Sequence, residues 1–154
     1  MMPQTDAEAG FTLIEVVCVL AITGLLAALV LPAIPRGTSQ ERLAGYAVEV
    51  AALLKGDRNA AIRSHAQVAT SLDAERRIVI SGATASIVEI PADVTFEALL
   101  AQRCGDRLVG ATIDFFPNGA SCGGVIAIAR LGVGYQIRVN WLTGGVEVVP
   151  TRKS

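Results

Sequence analysis

A single carboxylate stands inside the most apolar stretch of the chain. The run from Gly10 to Ile34 holds Glu15 and no other acid or base, and Val16 to Ile34 carries no charge at all. A carboxylate at membrane depth is costly, so it calls for a partner and marks a functional position. A second pattern, Gly119-Ala120-Ser121-Cys122-Gly123, matches the Gly-x-Ser-x-Gly turn of hydrolase nucleophiles. That turn needs a strand before it, a helix after it and a histidine later in the chain. Here the only histidine, His65, comes earlier, and a strand pattern follows. A glycine-rich hairpin is therefore expected, no catalytic residue is assigned, and the chain is not read as an enzyme. His65 also lacks a second histidine or a cysteine pair at ligand spacing, so neither a metal nor another cofactor is expected. It falls where a helical pattern ends, and its charge would suit the carbonyl end of that helix. Arg76-Arg77 and Arg152-Lys153 are short basic pairs, expected in a solvated turn and tail, with phosphate contact as the alternative.

These residues need elements to position them. About 20 apolar residues in a helix rise about 30 Å, the thickness of a bilayer's hydrocarbon core. Residues 11–35 are read as such a helix, with 1–10 as a removable leader. A buried core helix would be amphipathic and shorter. A secretory signal peptide needs a basic start and a small-residue cleavage site, whereas Met1 to Gly10 has no Lys or Arg and no Ala-x-Ala follows the run. A plain anchor accounts for the length and leaves Glu15 unexplained. Pro32 and Pro35 each remove a backbone donor, which predicts a kink or break between about 31 and 38.

The remainder reads as one small domain of an α+β protein. Residues 38–66 form the second half of the helix, with Thr38 and Glu41 fitting a capping box. Leu43, Ala47, Val50, Leu54 and Ala61 fall near one face, with Tyr46, Leu53 and Ile62 beside them. Gly45 and Gly56 each cost about 1 kcal/mol of helix propensity, so this helix needs a surface to pack on. From residue 67 to 154 the period is mostly two. Strands are expected at 68–72, 76–80, 85–90, 111–116, 125–131, 135–142 and 146–149, with 94–102 readable as strand or helical turn. Many short strands joined by tight turns predict an antiparallel sheet or sandwich after the helix. Without the leader, 13 bases face 12 acids. That near-balance gives no long-range attraction to nucleic acid or anionic lipid, and no nucleic-acid partner is expected. Cys18 lies in the apolar run as a small filler; Cys104 and Cys122 lie in the soluble part.

Gly10-Phe11-Thr12-Leu13-Ile14-Glu15 and the apolar run behind it resemble the type III signal of type IV pilins and type II secretion pseudopilins. The resemblance implies cleavage after Gly10 by a prepilin peptidase, N-methylation of Phe11, an assembly role for Glu15 and a helix kink at Pro32. Arg58-Asn59-Ala60-Ala61-Ile62-Arg63, Phe116-Pro117-Asn118-Gly119 and Thr143-Gly144-Gly145-Val146-Glu147-Val148 are similar to the general secretion pathway protein H group of minor pseudopilins. That implies a single-pass protein of a bacterial inner membrane with its domain in the periplasm, whose partners are other pseudopilins in a fibre or tip complex. Charge alone would put the Arg36 side in the cytoplasm; the resemblance implies the reverse. An oxidising periplasm in turn implies a Cys104–Cys122 disulfide, with two free buried thiols as the alternative. A minor pilin of a type IV pilus, acting in adhesion, motility or DNA uptake, and an unrelated membrane-anchored binding domain are the other functions the sequence leaves open.

Overall fold

The computed structural model describes residues 10–30 and 37–152. Two compact units make up the chain, Met1–Arg36 and Gly37–Ser154. The first contributes one helix, α1, Leu13–Val30. The Thr12 carbonyl accepts from Glu15 N at 3.0 Å and from Val16 N at 3.3 Å, closing the first turn. Glu15 lies in that turn, where the helix dipole favours an acid. Leu13, Ile14, Val16, Val17, Val19, Leu20, Ile22, Leu25 and Leu26 are exposed around the whole circumference. The Thr23 hydroxyl returns to the Val19 carbonyl at 2.8 Å, so even this polar group is satisfied within the helix.

Among the described residues no helix is long and apolar enough to cross a membrane. The 18 residues of α1 rise about 27 Å, slightly short of a hydrocarbon core of about 30 Å. The helix expected over 11–35 is thus described from Leu13 to Val30 only. Residues 1–9 of the expected leader, Pro32 and Pro35 lie outside the described residues.

The second unit opens with α2, Gln40–Ser64. Its cap differs from the expected Thr38–Glu41 box. Ser39 is the N-cap, with its hydroxyl accepting from Arg42 N at 3.3 Å. Thr38 is instead buried against Asp93 (see below). At the other end His65 is the C-cap in the left-handed conformation, φ 52°, as its position at the end of the helical pattern suggested.

Ten strands follow: β1 Val68–Asp73, β2 Ile78–Ile80, β3 Ile87–Glu89, β4 Thr95–Leu100, β5 Arg103–Cys104, β6 Arg107–Leu108, β7 Thr112–Phe115, β8 Gly124–Arg130, β9 Val133–Val139 and β10 Val146–Arg152. They form one four-stranded sheet in the order β3-β2-β1-β7, a second in the order β10-β9-β8-β4, and the small hairpin β5-β6. All pairings are antiparallel, and the α+β class stands as expected. Of the ambiguous stretch 94–102, Thr95–Leu100 is strand, β4. Arg76 and Arg77 belong to the turn before β2, where Arg77 takes φ 60°. The last strand runs past Val149 through Pro150 because β10 is a sheet edge, where a missing N–H costs no ladder bond.

Helix α2 packs against strands of both sheets. Leu43, Ala47, Val50, Leu54 and Ala61, the stripe read from the sequence, are buried with Val79, Ile113, Phe115, Ile126, Ile128 and Ile137. Burying each such Leu, Ile or Phe contributes about 1.5–3 kcal/mol, which outweighs the two helix glycines.

Candidate functional site

Gly10 and Phe11 precede α1 and are exposed, with open space around the Gly10 α-carbon. The peptide bond between them is therefore accessible. Glu15 is exposed one turn on, and among the described residues no hydrogen bond or ion pair reaches its carboxylate. An apolar cylinder with one unsatisfied acid near its N-terminus is not stable as a water-facing object. It needs lipid or other helices around it, and a cation or donor at Glu15.

The second unit is held firmly where its chain begins. Asp93, in the loop before β4, accepts from Thr38 N at 2.8 Å and from the Thr38 hydroxyl at 2.9 Å. Arg130, at the end of β8, pairs with Asp93 at 2.9 Å and donates to the Thr38 carbonyl at 2.7 Å. The Thr38 amide, then its hydroxyl and then the Arg130 charge hold the Asp93 carboxyl below its ordinary range. Gly37 runs so close to this pair that an added Cβ would strike the Arg130 guanidinium. The clamp ties the first residues of the domain to the second sheet, 55 and 92 residues away in sequence. Sequence reading missed it, because nothing local distinguishes Asp93 from a loop acid.

Arg58 is a second fixed point. Its Nε donates to the carbonyls of Gly119 and Thr143, each at 3.1 Å. The three stretches similar to the protein H group therefore meet at one guanidinium. Gly119 and Gly144 adopt φ 84° and 62° and lie against it; a Cβ at Gly144 would collide with the Gly119 carbonyl and with Arg58 Nε. Glycine is needed there for backbone conformation and for close approach alike.

The residue before Arg58, Asp57, is 1% exposed. It accepts from the hydroxyls of Thr70 and Ser81 and from the amides of Gly82 and Ala83. The carboxylate fastens α2 to β1 and to the turn after β2. A charged residue in the gap between Leu54 and Ala61 of the apolar stripe is the one sequence signal that points to it.

The remaining candidates are structural. Gly119–Gly123 is a turn between β7 and β8, with Ser121 bridged to Phe115 and buried, its hydroxyl accepting from Gly123 N at 3.0 Å. A strand follows, not the helix a nucleophile turn requires. Cys104 and Cys122 are bonded, with α-carbons 5.5 Å apart, and tie the β5-β6 hairpin to the start of β8. Cys18 is a free thiol on α1. Arg76 pairs with Asp73 at 3.8 Å on the surface. Arg77 departs from the solvated turn expected of it: its Nε and one Nη are buried without a partner among the described residues. Arg152 ends β10 and is exposed, and Lys153 lies outside the described residues. Among the described residues no group of three His, Cys, Asp or Glu side chains could hold a metal.

Residues 6–31 match the family model of the prokaryotic N-terminal methylation motif. The chain is 28% identical over 144 residues to the type II secretion system protein H of Xanthomonas campestris pv. campestris, covering 93% of this chain and 84% of that protein. Its fold matches the minor pseudopilin EpsH from the type 2 secretion system of Vibrio cholerae, with TM-score 0.55 and 10% identity over 70% of this chain and 95% of that one. It also matches the type IV minor pilin FimU of Pseudomonas aeruginosa, with TM-score 0.53 and 17% identity over 73% of this chain and 92% of that one. At these identities the solved structures speak for the fold; the motif and the sequence relative add what the fold cannot. Taken together, the chain carries an N-terminal methylation motif, resembles a type II secretion protein H in sequence, and shares its fold with a minor pseudopilin and a minor pilin.

Proposed function

We propose that the chain is a minor pseudopilin subunit of a type II secretion system, stored in the bacterial inner membrane and recruited into the periplasmic pseudopilus that drives protein export across the outer membrane. The observation that carries this is the pairing of an N-terminal methylation motif with a soluble domain of pseudopilin fold in a single chain. A prepilin peptidase would cut the accessible Gly10–Phe11 bond and methylate the new amine. That amine exists only after cleavage. It and Glu15 are then opposite charges in an apolar environment, where an ion pair is worth far more than at a wet surface. Self-pairing within one helix would make Glu15 a feature of stability alone. Pairing with the amine of a neighbouring subunit would make it a register mark between packed helices. The all-round apolar surface of α1 suits both lipid and a bundle of like helices, and Pro32 would bend the helix where it leaves the membrane. The role is mechanical, with no cofactor and no chemistry on a substrate.

The likeness to FimU supports one other reading, a minor pilin of a type IV pilus. Isolation of the native protein with its membrane partners tests the choice. Recovery of other pseudopilins, with Phe11 as the methylated first residue by mass spectrometry, is the expected result. Recovery of a major pilin would favour the pilus. Recovery of neither, with the first ten residues still attached, would favour an unrelated anchored domain.

A further inference from the structure

Strand β4 closes one side of the second sheet. One edge pairs with β8, from Thr95↔Ala129 to Leu100↔Gly124, and among the described residues nothing hydrogen-bonds to the other. Backbone groups of an antiparallel strand alternate between its two sides, so this edge presents a row of open donors and acceptors. Such edges are ordinarily blunted or covered. The molecule's other edges are: β3 has 3 residues, β10 contains Pro150, and β7 is flanked by the following turn through Phe116 N to Ala120 O and Cys122 N to Asp114 O. By contrast β4 has 6 residues and no proline, and its outer-face residues Thr95, Glu97 and Leu99 are all exposed.

The face beside that edge has room for side chains. Val125 and Ala127 stand opposite Leu99 and Glu97 and are small enough to leave a hollow of about 500 Å³ along the strand. A second hollow of about 590 Å³ adjoins it and reaches Trp141. The indole is 65% exposed, yet its turn is fixed by Ser121 N donating to the Trp141 carbonyl and by the Asn140 side chain capping Leu142 N and Thr143 N. An exposed aromatic on a rigid turn loses little freedom on binding. Glu97, in mid-strand, faces an alanine, and among the described residues no cation pairs with it.

We infer that β4 takes up an extended strand from a different pilin-like subunit, with a basic side chain opposite Glu97 and an apolar one in the hollow between Leu99, Val125 and Trp141. Backbone pairing supplies the attraction and the alternate side chains the choice of partner. A second copy is the poorer occupant, since pairing Thr95–Leu99 with itself sets Glu97 against Glu97, and like charges directly opposite are destabilising. The inference rests on reading the chain as a pseudopilin.

The test uses the full chain in its membrane, expressed with the other pseudopilins of its system. A photoreactive phenylalanine analogue is placed at Leu99, at Ile87 on β3, or at Val17 in α1. Leu99 is expected to crosslink to a different pseudopilin at least tenfold more than Ile87 does. Glu97→Lys is expected to lower that adduct tenfold or more while leaving Val17 adducts unchanged. Val17 adducts without Leu99 adducts, Leu99 adducts with a second copy of this chain, or Leu99 adducts indifferent to Glu97→Lys would each overturn the strand proposal and leave the assembly reading standing. Absence of any pseudopilin adduct from Val17 would overturn the assembly reading, and the strand proposal with it.

Discussion

Each of the two described helices sets an acid against apolar residues, Glu15 in α1 and Asp57 in the stripe of α2, and the two have opposite fates. In α2, Asp57 is almost fully buried and takes four hydrogen bonds from its own domain. In α1, Glu15 is exposed and takes none from the described residues. The surroundings differ in the same sense. α2 has an apolar stripe on one side and covers it with two sheets; α1 is apolar on every side. A carboxylate satisfied within its own fold is part of the architecture. One left unsatisfied on a surface that cannot remain in water implies something outside the chain, whether lipid, a neighbouring helix or an amine. The acid that serves folding and the acid we propose serves assembly thus differ in where their hydrogen bonds go.

The largest way to sharpen that contrast is Asp57→Ala. It leaves the buried Thr70 and Ser81 hydroxyls without their acceptor, and at about 1–3 kcal/mol for each such group the loss should be about 3 kcal/mol. Urea unfolding of the full chain in detergent would read it as a large fall in midpoint. Glu15→Ala in the same assay should stay within about 0.5 kcal/mol of the parent. Equal losses from the two variants would abolish the distinction.

Next in size is the disulfide. Replacing Cys104 and Cys122 with Ser together should cost about 3 kcal/mol in the chain-entropy account for a loop of 18 residues. The cost should appear in unreduced protein and vanish when parent and variant are compared in strong reductant. Membrane insertion should not change, since the bridge belongs wholly to the second unit.

Arg58→Ala should cost about 2 kcal/mol, because two turn carbonyls lose a charged donor. Arg58→Lys should recover only part of this, since lysine has a methylene where the Nε that serves both carbonyls stands. Circular-dichroism melting of the three proteins checks the order.

The smallest effect concerns the Asp93 clamp and depends on pH. The fold holds this carboxyl below its ordinary value of 3.8. Its stabilisation is therefore complete above the unfolded pKa and is lost as pH falls through the folded one. Asp93→Asn should be less stable than the parent at about pH 6, and the gap should narrow by about pH 3 as the parent's own carboxyl is protonated. A gap independent of pH would mean the clamp acts by shape alone.

Much of this was legible in the sequence, and what was not has a common cause. The α1 run, the α2 stripe and most strands follow local period, and Ser121 and His65 were excluded from catalysis by chain order alone. The hairpin β5-β6 escaped because its strands are two residues each, too short to show a period around Gly105-Asp106. Asp93 and Arg130 meet Thr38 only through tertiary folding, so neither has a sequence signature. Thr38 and Glu41 do fit a capping box, but a long-range acceptor claims the threonine and the N-cap falls one residue later, at Ser39. Arg58 was noticed as part of a motif, and only the structure gives the reason, in two turns 61 and 85 residues further on.

The most direct measurement is of Glu15→Val in the complete secretion system, followed by crosslinking to other pseudopilins and by export of the secreted protein. Removing the acid makes α1 more apolar, so insertion and cleavage after Gly10 should proceed as in the parent. Recruitment should fail, with crosslinks to other pseudopilins and export both reduced at least tenfold. Gly10→Ala provides the separate failure, a chain that keeps its leader. If Glu15→Val crosslinks and supports export as the parent does, the carboxylate has no role between subunits, and the distinction drawn here between Glu15 and Asp57 is wrong.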